Sequence, residues 1–277
     1  MAGKASKLLH RIPRTACRAP TNQQLNHMNN EIKIFHSAEK TASALADELA
    51  GQINRSVQDR PFSIALSGGS TPKLLFQTLA ARHRDSVDWG KVSLFWVDER
   101  CVPPDDPESN YRMTRDVLLE KIALPPGNVY RIRGEEDPDS EAVRYSEVIE
   151  RSVVRKNNLP FFDVVLLGLG EDGHTASIFP GNEGLFSTAE TSVVAVNPYS
   201  GQKRITITGR IINNAGMIIF LVSGKKKAEI VKRIISGAGK AQYPAEYVKP
   251  VDGKVIWYLD DEAASLVGGS KQKRNNF

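Results

Sequence analysis

Cysteine is scarce in this sequence: Cys17 and Cys101 are the two among 277 residues. One of them falls in a basic, acid-free start, so no disulfide framework is expected. Two lone cysteines and five scattered histidines also supply no metal-ligand spacing. Such cysteine usage suits a reducing compartment, and a cytoplasmic location is expected. No apolar run approaches eighteen residues, which excludes a hydrophobic membrane-spanning helix. The phosphate loop G-x-x-x-x-G-K is missing, and so is the G-x-S-x-G elbow that presents a nucleophilic serine.

Acids are absent from both ends. Residues 1–30 hold Lys4, Lys7, Arg11, Arg14 and Arg18, and residues 268–277 hold Lys271, Lys273 and Arg274. Between them 29 basic residues face 32 acidic ones, so the formal net charge of +5 comes from the ends. The body lacks the charge of a polyanion binder, and nucleic acid is not an expected partner. The start is read as a basic extension, for which three origins fit. It is an organellar transit peptide, a plain tail, or the product of an upstream start codon with Met28 as the true start. Residues 31–267 are expected to form one α/β domain, followed by the basic tail 268–277.

What the body does contain is an alternation of strands and helices. Strands are expected at EIKIF (31–35), FSIAL (62–66), KVSLFWV (91–97), NVYRI (128–132), DVVLLGL (163–169), SVVAV (192–196), RITIT (204–208), MIIFLV (217–222) and KVIWYL (254–259). Ala38, Ala42, Leu45, Ala46, Leu49 and Ile53 recur at helical spacing, as do Ala228, Val231, Ile234 and Ile235. Further helices are expected after SGGSTP, over 111–121, over 139–156, and at DDEAASLV as a closing cap. Thr71 suits an N-cap and Pro72 the first helical position. Strands separated by crossover-length helices predict a three-layer α/β fold, with a mainly parallel sheet and helices on both faces. Ligands of such sheets bind beyond the carboxyl ends of the strands.

Three loops rich in reactive groups leave strands at that end. In Ser67-Gly68-Gly69-Ser70-Thr71-Pro72, glycines let backbone approach an anion and the following helix presents free N–H groups. The bland alternative is a capped strand-to-helix turn. Asp98-Glu99-Arg100 closes the third strand; Arg100 suits a phosphate, while a solvated rim is the alternative. The loop GLGEDGHTASIFPG matches G-x-G-x-x-G between Gly168 and Gly173, but Glu171 and Asp172 would repel a pyrophosphate and Pro180-Gly181 cuts short the helix that fingerprint needs. His174, two residues from Asp172, is better read as a general base. Lys203-Arg204 and Lys225-Lys226-Lys227 add positive charge, and lysines in a first helical turn oppose the helix dipole unless an anion is near.

The ordered set ALSGGSTP, WVDERCVP with SNYRM, LLGLGEDGHTASIFPG, KRITIT and VSGKKKA resembles the 6-phosphogluconolactonase family over roughly 31–267. The resemblance implies the fold shared by glucosamine-6-phosphate deaminase and ribose-5-phosphate isomerase. It implies hydrolysis of a sugar-phosphate lactone with no metal or organic cofactor; a monomer or weak dimer is expected. His174 matches the family's base, and from its place two residues away Asp172 is expected to orient the imidazole. The phosphate contacts map onto Ser67, Gly68, Gly69, Ser70, Arg100 and Arg204, with Lys203 beside them and Lys227 placed by the register of Gly224. Loop N–H groups, from Gly168 and Gly170 or from Gly68 and Gly69, are expected to stabilise an oxyanion. A same-superfamily deaminase and a non-catalytic sugar-phosphate binder are the rivals. The deaminases typically carry an aromatic residue where Arg100 stands and N-E-P-G where this chain has Ile178-Phe179-Pro180-Gly181.

Overall fold

The computed structural model describes residues 30–56, 60–237, 241–267 and 273–274. Cys17, Met28 and the basic residues of the start lie outside them, as do Lys271 and most of the tail.

Eight strands form one parallel sheet. They are β1 (Asn30–Phe35), β2 (Phe62–Leu66), β3 (Val92–Trp96), β5 (Val129–Tyr130), β8 (Val164–Leu167), β11 (Met217–Val222), β12 (Lys254–Asp260) and β13 (Lys273–Arg274), in the order β13-β1-β12-β11-β8-β2-β3-β5. The central strands β2, β3, β8 and β11 are buried along their whole length. That is why they read as continuous apolar runs rather than alternating ones. The helices α1 (Ala38–Arg55) and α2 (Ser70–Arg82) cover one face, where Leu49, Ile53, Phe76 and Leu79 meet Ile64, Leu66, Leu94, Val164 and Leu166. The other face carries α4 (Pro138–Ser152), whose Tyr145 hydroxyl accepts the Trp96 N–H at 2.9 Å and donates to the Trp96 carbonyl at 2.8 Å.

Strand order reverses between β2 and β8. From β2 the chain steps outward to β3 and β5; from β8 it steps the other way, to β11 and β12, with β1 and β13 beyond them at that edge. The crevice at such a reversal, beyond the carboxyl ends, is where an open α/β sheet binds its ligand. The loops that leave β2 and β8 are SGGSTP and GLGEDGH.

Several local expectations change. Asp98-Glu99-Arg100 does not extend β3 but forms β4 (Asp98–Arg100) of a second, antiparallel sheet with β10 (Lys203–Ile207) and β9 (Ser192–Val196). The cause lies at Trp96 and Val97: Tyr145 occupies the backbone of Trp96, and the Val97 carbonyl accepts the Ile207 N–H at 2.8 Å. Gly69, not Thr71, is the N-cap of α2, at φ 111°, while the Thr71 hydroxyl lies 2.8 Å from that of Ser223. NVYRI shortens to β5. The helix expected over 139–156 stops at Ser152, because Asn157 and Asn158, at φ 53° and 60°, turn a hairpin between Arg155–Lys156 and Leu159–Pro160. The helix over 111–121 divides into α3 (Asn110–Val117) and a 3-10 turn at Leu119–Lys121. Lys225–Lys227 form a 3-10 turn ahead of α6 (Ala228–Ser236). DDEAASLV makes turns rather than a helix, organised by the Asp260 carboxylate, which accepts the N–H groups of Ala263 and Gly224.

Candidate active site

Eight of the residues singled out in the sequence converge. Ser67, Gly68, Arg100, Gly168, Gly170, His174, Arg204 and Lys227 line one cleft of about 190 Å³, completed by Asp98, Asn110, Leu169 and Ala176. It opens at the β2–β8 reversal, with the small sheet as its third wall.

The first group in it is a carboxylate–imidazole pair. Asp172 Oδ1 lies 2.6 Å from His174 Nδ1 and also accepts the His174 N–H at 3.2 Å; Oδ2 accepts the Tyr199 hydroxyl at 2.9 Å. An ionised carboxylate only accepts, so the ring proton belongs on Nδ1, and in the neutral ring Nε2 keeps its lone pair. Among the described residues no protein group bonds Nε2. Burial pushes the Asp172 carboxyl up, but the His174 charge, the His174 N–H, the Tyr199 hydroxyl and the bond to the ring outweigh it and hold Asp172 below the usual carboxylate range. Gly170 makes the pair possible: a Cβ there would stand 2.1 Å from His174 Nδ1 and 2.4 Å from Asp172 Oδ1. The loop turns back through Ala176, a non-glycine residue at φ 50°, an unfavourable conformation held by its neighbours. Ser177 anchors it by donating to Asp98 Oδ2 at 2.6 Å.

The second group is a pair of arginines. Arg100 and Arg204 are direct partners across the antiparallel β4–β10 ladder. Like charges directly opposite each other destabilise a sheet. Both Nε atoms are buried without a hydrogen-bond partner. Arg204 Nη1 reaches Asp98 Oδ2 only at 3.8 Å, and burial first, then the charge of Arg100, pulls its pKa down against the effect of Asp98. Arg100 Nη1 donates to the Glu108 carbonyl. Two adjacent guanidiniums with unspent donors have the chemistry to hold a multiply charged anion. Burial also lowers the pKa of Lys227, while Glu171 and Asp172 act to raise it.

Glu99 has a different task. Its carboxylate, 2% exposed, accepts N–H groups from Arg100, Asn110 and Tyr111 and the Ser109 hydroxyl. It thereby satisfies donors left open at the start of α3. Burial raises its pKa despite these four bonds. Glu99 so fixes Asn110, whose side chain fills the space in front of Gly68: a Cβ on Gly68 would stand 1.7 Å from Asn110 Oδ1.

Other expectations do not survive. The Gly170 N–H donates to the His174 carbonyl at 2.8 Å and is no free oxyanion donor; this glycine serves by lacking a side chain. Lys203 is exposed and absent from the cleft wall, because strand alternation turns it away from the face of Arg204. Gly69 and Ser70 are exposed at the N-terminus of α2, next in the chain to Ser67 and Gly68 of the cleft wall. Asn110 and Tyr199 were not expected. Asn110 lay within SNYRM without a role, and Tyr199, in a loop, had no periodic or charge signal. Among the described residues no group of three or more His, Cys, Asp and Glu side chains is placed to hold a metal ion.

Residues 36–257 match the family model for glucosamine-6-phosphate isomerases/6-phosphogluconolactonase. The chain belongs to this family. The 6-phosphogluconolactonase of Haemophilus influenzae is 42% identical over 230 residues, which covers 82% of this chain and 97% of that protein. That of Treponema pallidum is 48% identical over 162 residues, 58% of this chain and 67% of that one. The solved 6-phosphogluconolactonase from Trypanosoma brucei superposes with a TM-score of 0.76 at 30% identity, covering 85% and 98% of the two chains. A monomeric glucosamine-6-phosphate deaminase, with a TM-score of 0.73 at 23% identity over 85% and 99%, shares the fold. The family resemblance and the α/β architecture read in the sequence are both borne out.

Proposed function

We propose that the chain hydrolyses 6-phospho-D-glucono-1,5-lactone to 6-phospho-D-gluconate, the second step of the oxidative pentose phosphate pathway, with His174 as general base. One observation carries the reading: the Arg100–Arg204 pair and His174, the ring bonded to Asp172, line a single cleft.

The substrate is an ester, so water suffices as nucleophile. The phosphate docks between Arg100 and Arg204 and brings the lactone carbonyl toward His174. His174 Nε2 takes a proton from water as the water oxygen bonds to C1. The tetrahedral oxyanion is held by positive potential from Lys227 and by backbone at Gly68 and Gly168, all on the cleft wall. The C1–ring oxygen bond then breaks, and the imidazolium returns its proton to that oxygen as it becomes the C5 hydroxyl. The acid product loses its proton to solvent. Asp172 holds the ring tautomer and stabilises the imidazolium, the role a buried carboxylate plays beside a catalytic histidine.

The test compares 6-phosphogluconolactone with plain gluconolactone, each corrected for spontaneous opening. Loss of charge-assisted bonds to two arginines should lower kcat/KM for the plain lactone by about 10²-fold or more. Equal kcat/KM for the two would remove the phosphate from the account.

A further inference from the structure

The β9–β10 hairpin reaches across the cleft to the catalytic loop. Tyr199, at its tip, is 71% exposed, yet its hydroxyl donates to Asp172 Oδ2 at 2.9 Å. The tip is built to aim it. Asn197 Oδ1 accepts the N–H groups of Tyr199 at 2.9 Å and Ser200 at 3.3 Å, and the Gly201 N–H closes on the Asn197 carbonyl at 2.9 Å. Gln202 ties the same tip to Glu108 at 3.0 Å, and the Glu108 carbonyl receives Arg100. Two residues beyond Gln202 comes Arg204. One hairpin therefore touches both the arginine pair and the carboxylate behind the base.

We propose that Tyr199 is a positioning residue that acts through Asp172: its hydroxyl fixes the carboxylate so that Oδ1 faces His174 Nδ1 and Nε2 faces the cleft. The inference rests on reading His174 as the base. With Oδ1 engaged by His174 and Oδ2 by Tyr199, the carboxylate cannot rotate without losing a bond. The phenol also draws charge away from the imidazole. Its own pKa is raised, chiefly by the bond to Asp172, so it remains a donor. Other charged groups face the pair. Glu171 lies in the same loop and Lys227 approaches from the turn after β11. Arg204 packs on Phe179, whose ring centroid is 4.7 Å from that of His174. Among the described residues, only Tyr199 and His174 donate hydrogen bonds to the Asp172 carboxylate.

Tyr199→Phe removes one oxygen from an exposed ring and leaves the fold alone. The expected result is a kcat lowered about fivefold to tenfold, near the net worth of one hydrogen bond, with KM for the lactone unchanged. The acid limb of kcat/KM should move to higher pH. Without the phenol the Asp172 charge concentrates on His174, the protonated ring is favoured, and a higher pH is needed to free the base. A tip that only packs would scale the rate without moving the limb. The ¹⁵N resonances of His174 in the free protein give a reading independent of turnover. Tyr199→Phe should shift their titration, and should add no shift in an Asp172→Asn background. Wild-type kcat with an unmoved limb and unmoved resonances overturns the inference. Failure of the underlying reading shows elsewhere, as full turnover by His174→Ala.

Discussion

His174→Ala is expected to lower kcat by about 10²–10⁴ while 6-phosphogluconate still binds. The size follows from what is removed. Nε2 keeps the free lone pair of a histidine that lines the cleft, and among the described lining residues no other group is suited to take a proton near neutral pH. Glu171 and Asp172 favour the ammonium form of Lys227 against its burial, the two arginines cannot lose their protons, and Asp98 is spent on Ser177. Residual rate would come from orientation and the positive wall. The phosphate contacts do not pass through the imidazole, so calorimetric titration with product should give nearly the wild-type Kd. A variant that turns over like the wild type would remove His174 from the role.

The second large effect is at the arginine pair. Arg100→Ala should raise KM about tenfold to a hundredfold with a smaller change in kcat, as expected when a charge-assisted contact to a non-reacting group is lost. The same substitution should not destabilise the ligand-free protein. Arg100 faces Arg204 directly across the ladder, so removing it relieves a like-charge contact. The thermal shift produced by added 6-phosphogluconate, however, should shrink, since stabilisation by a ligand follows its Kd. Unfolding midpoints with and without ligand check both halves. An unchanged KM and an undiminished shift would sink the phosphate assignment.

Much of this was legible in the chain. FSIAL, DVVLLGL and MIIFLV are buried on both faces, so apolarity alone marks them as central strands, and the loops that follow them had to lie at one end of a parallel sheet. What was hidden was long-range. Asp98-Glu99-Arg100 reads as a charged rim because nothing local shows that Lys203–Ile207 will pair with it. That register also decides between neighbours: it turns Arg204 into the cleft and Lys203 out of it. Gly170 reads as a backbone donor until the loop closes and spends its N–H on His174. Tyr199 acquires a role only because the small sheet carries the tip of its hairpin to Asp172, 27 residues away.

The central claim is that this cleft opens a phosphorylated lactone rather than releasing ammonia from an amino sugar phosphate. The fold alone does not separate these, since a deaminase shares it. Initial rates of the wild-type protein on 6-phosphogluconolactone and on glucosamine 6-phosphate, measured side by side, do. The account predicts lactone consumption well above the spontaneous rate and no ammonia from the amino sugar. Ammonia release with lactone opening at the spontaneous rate would contradict it.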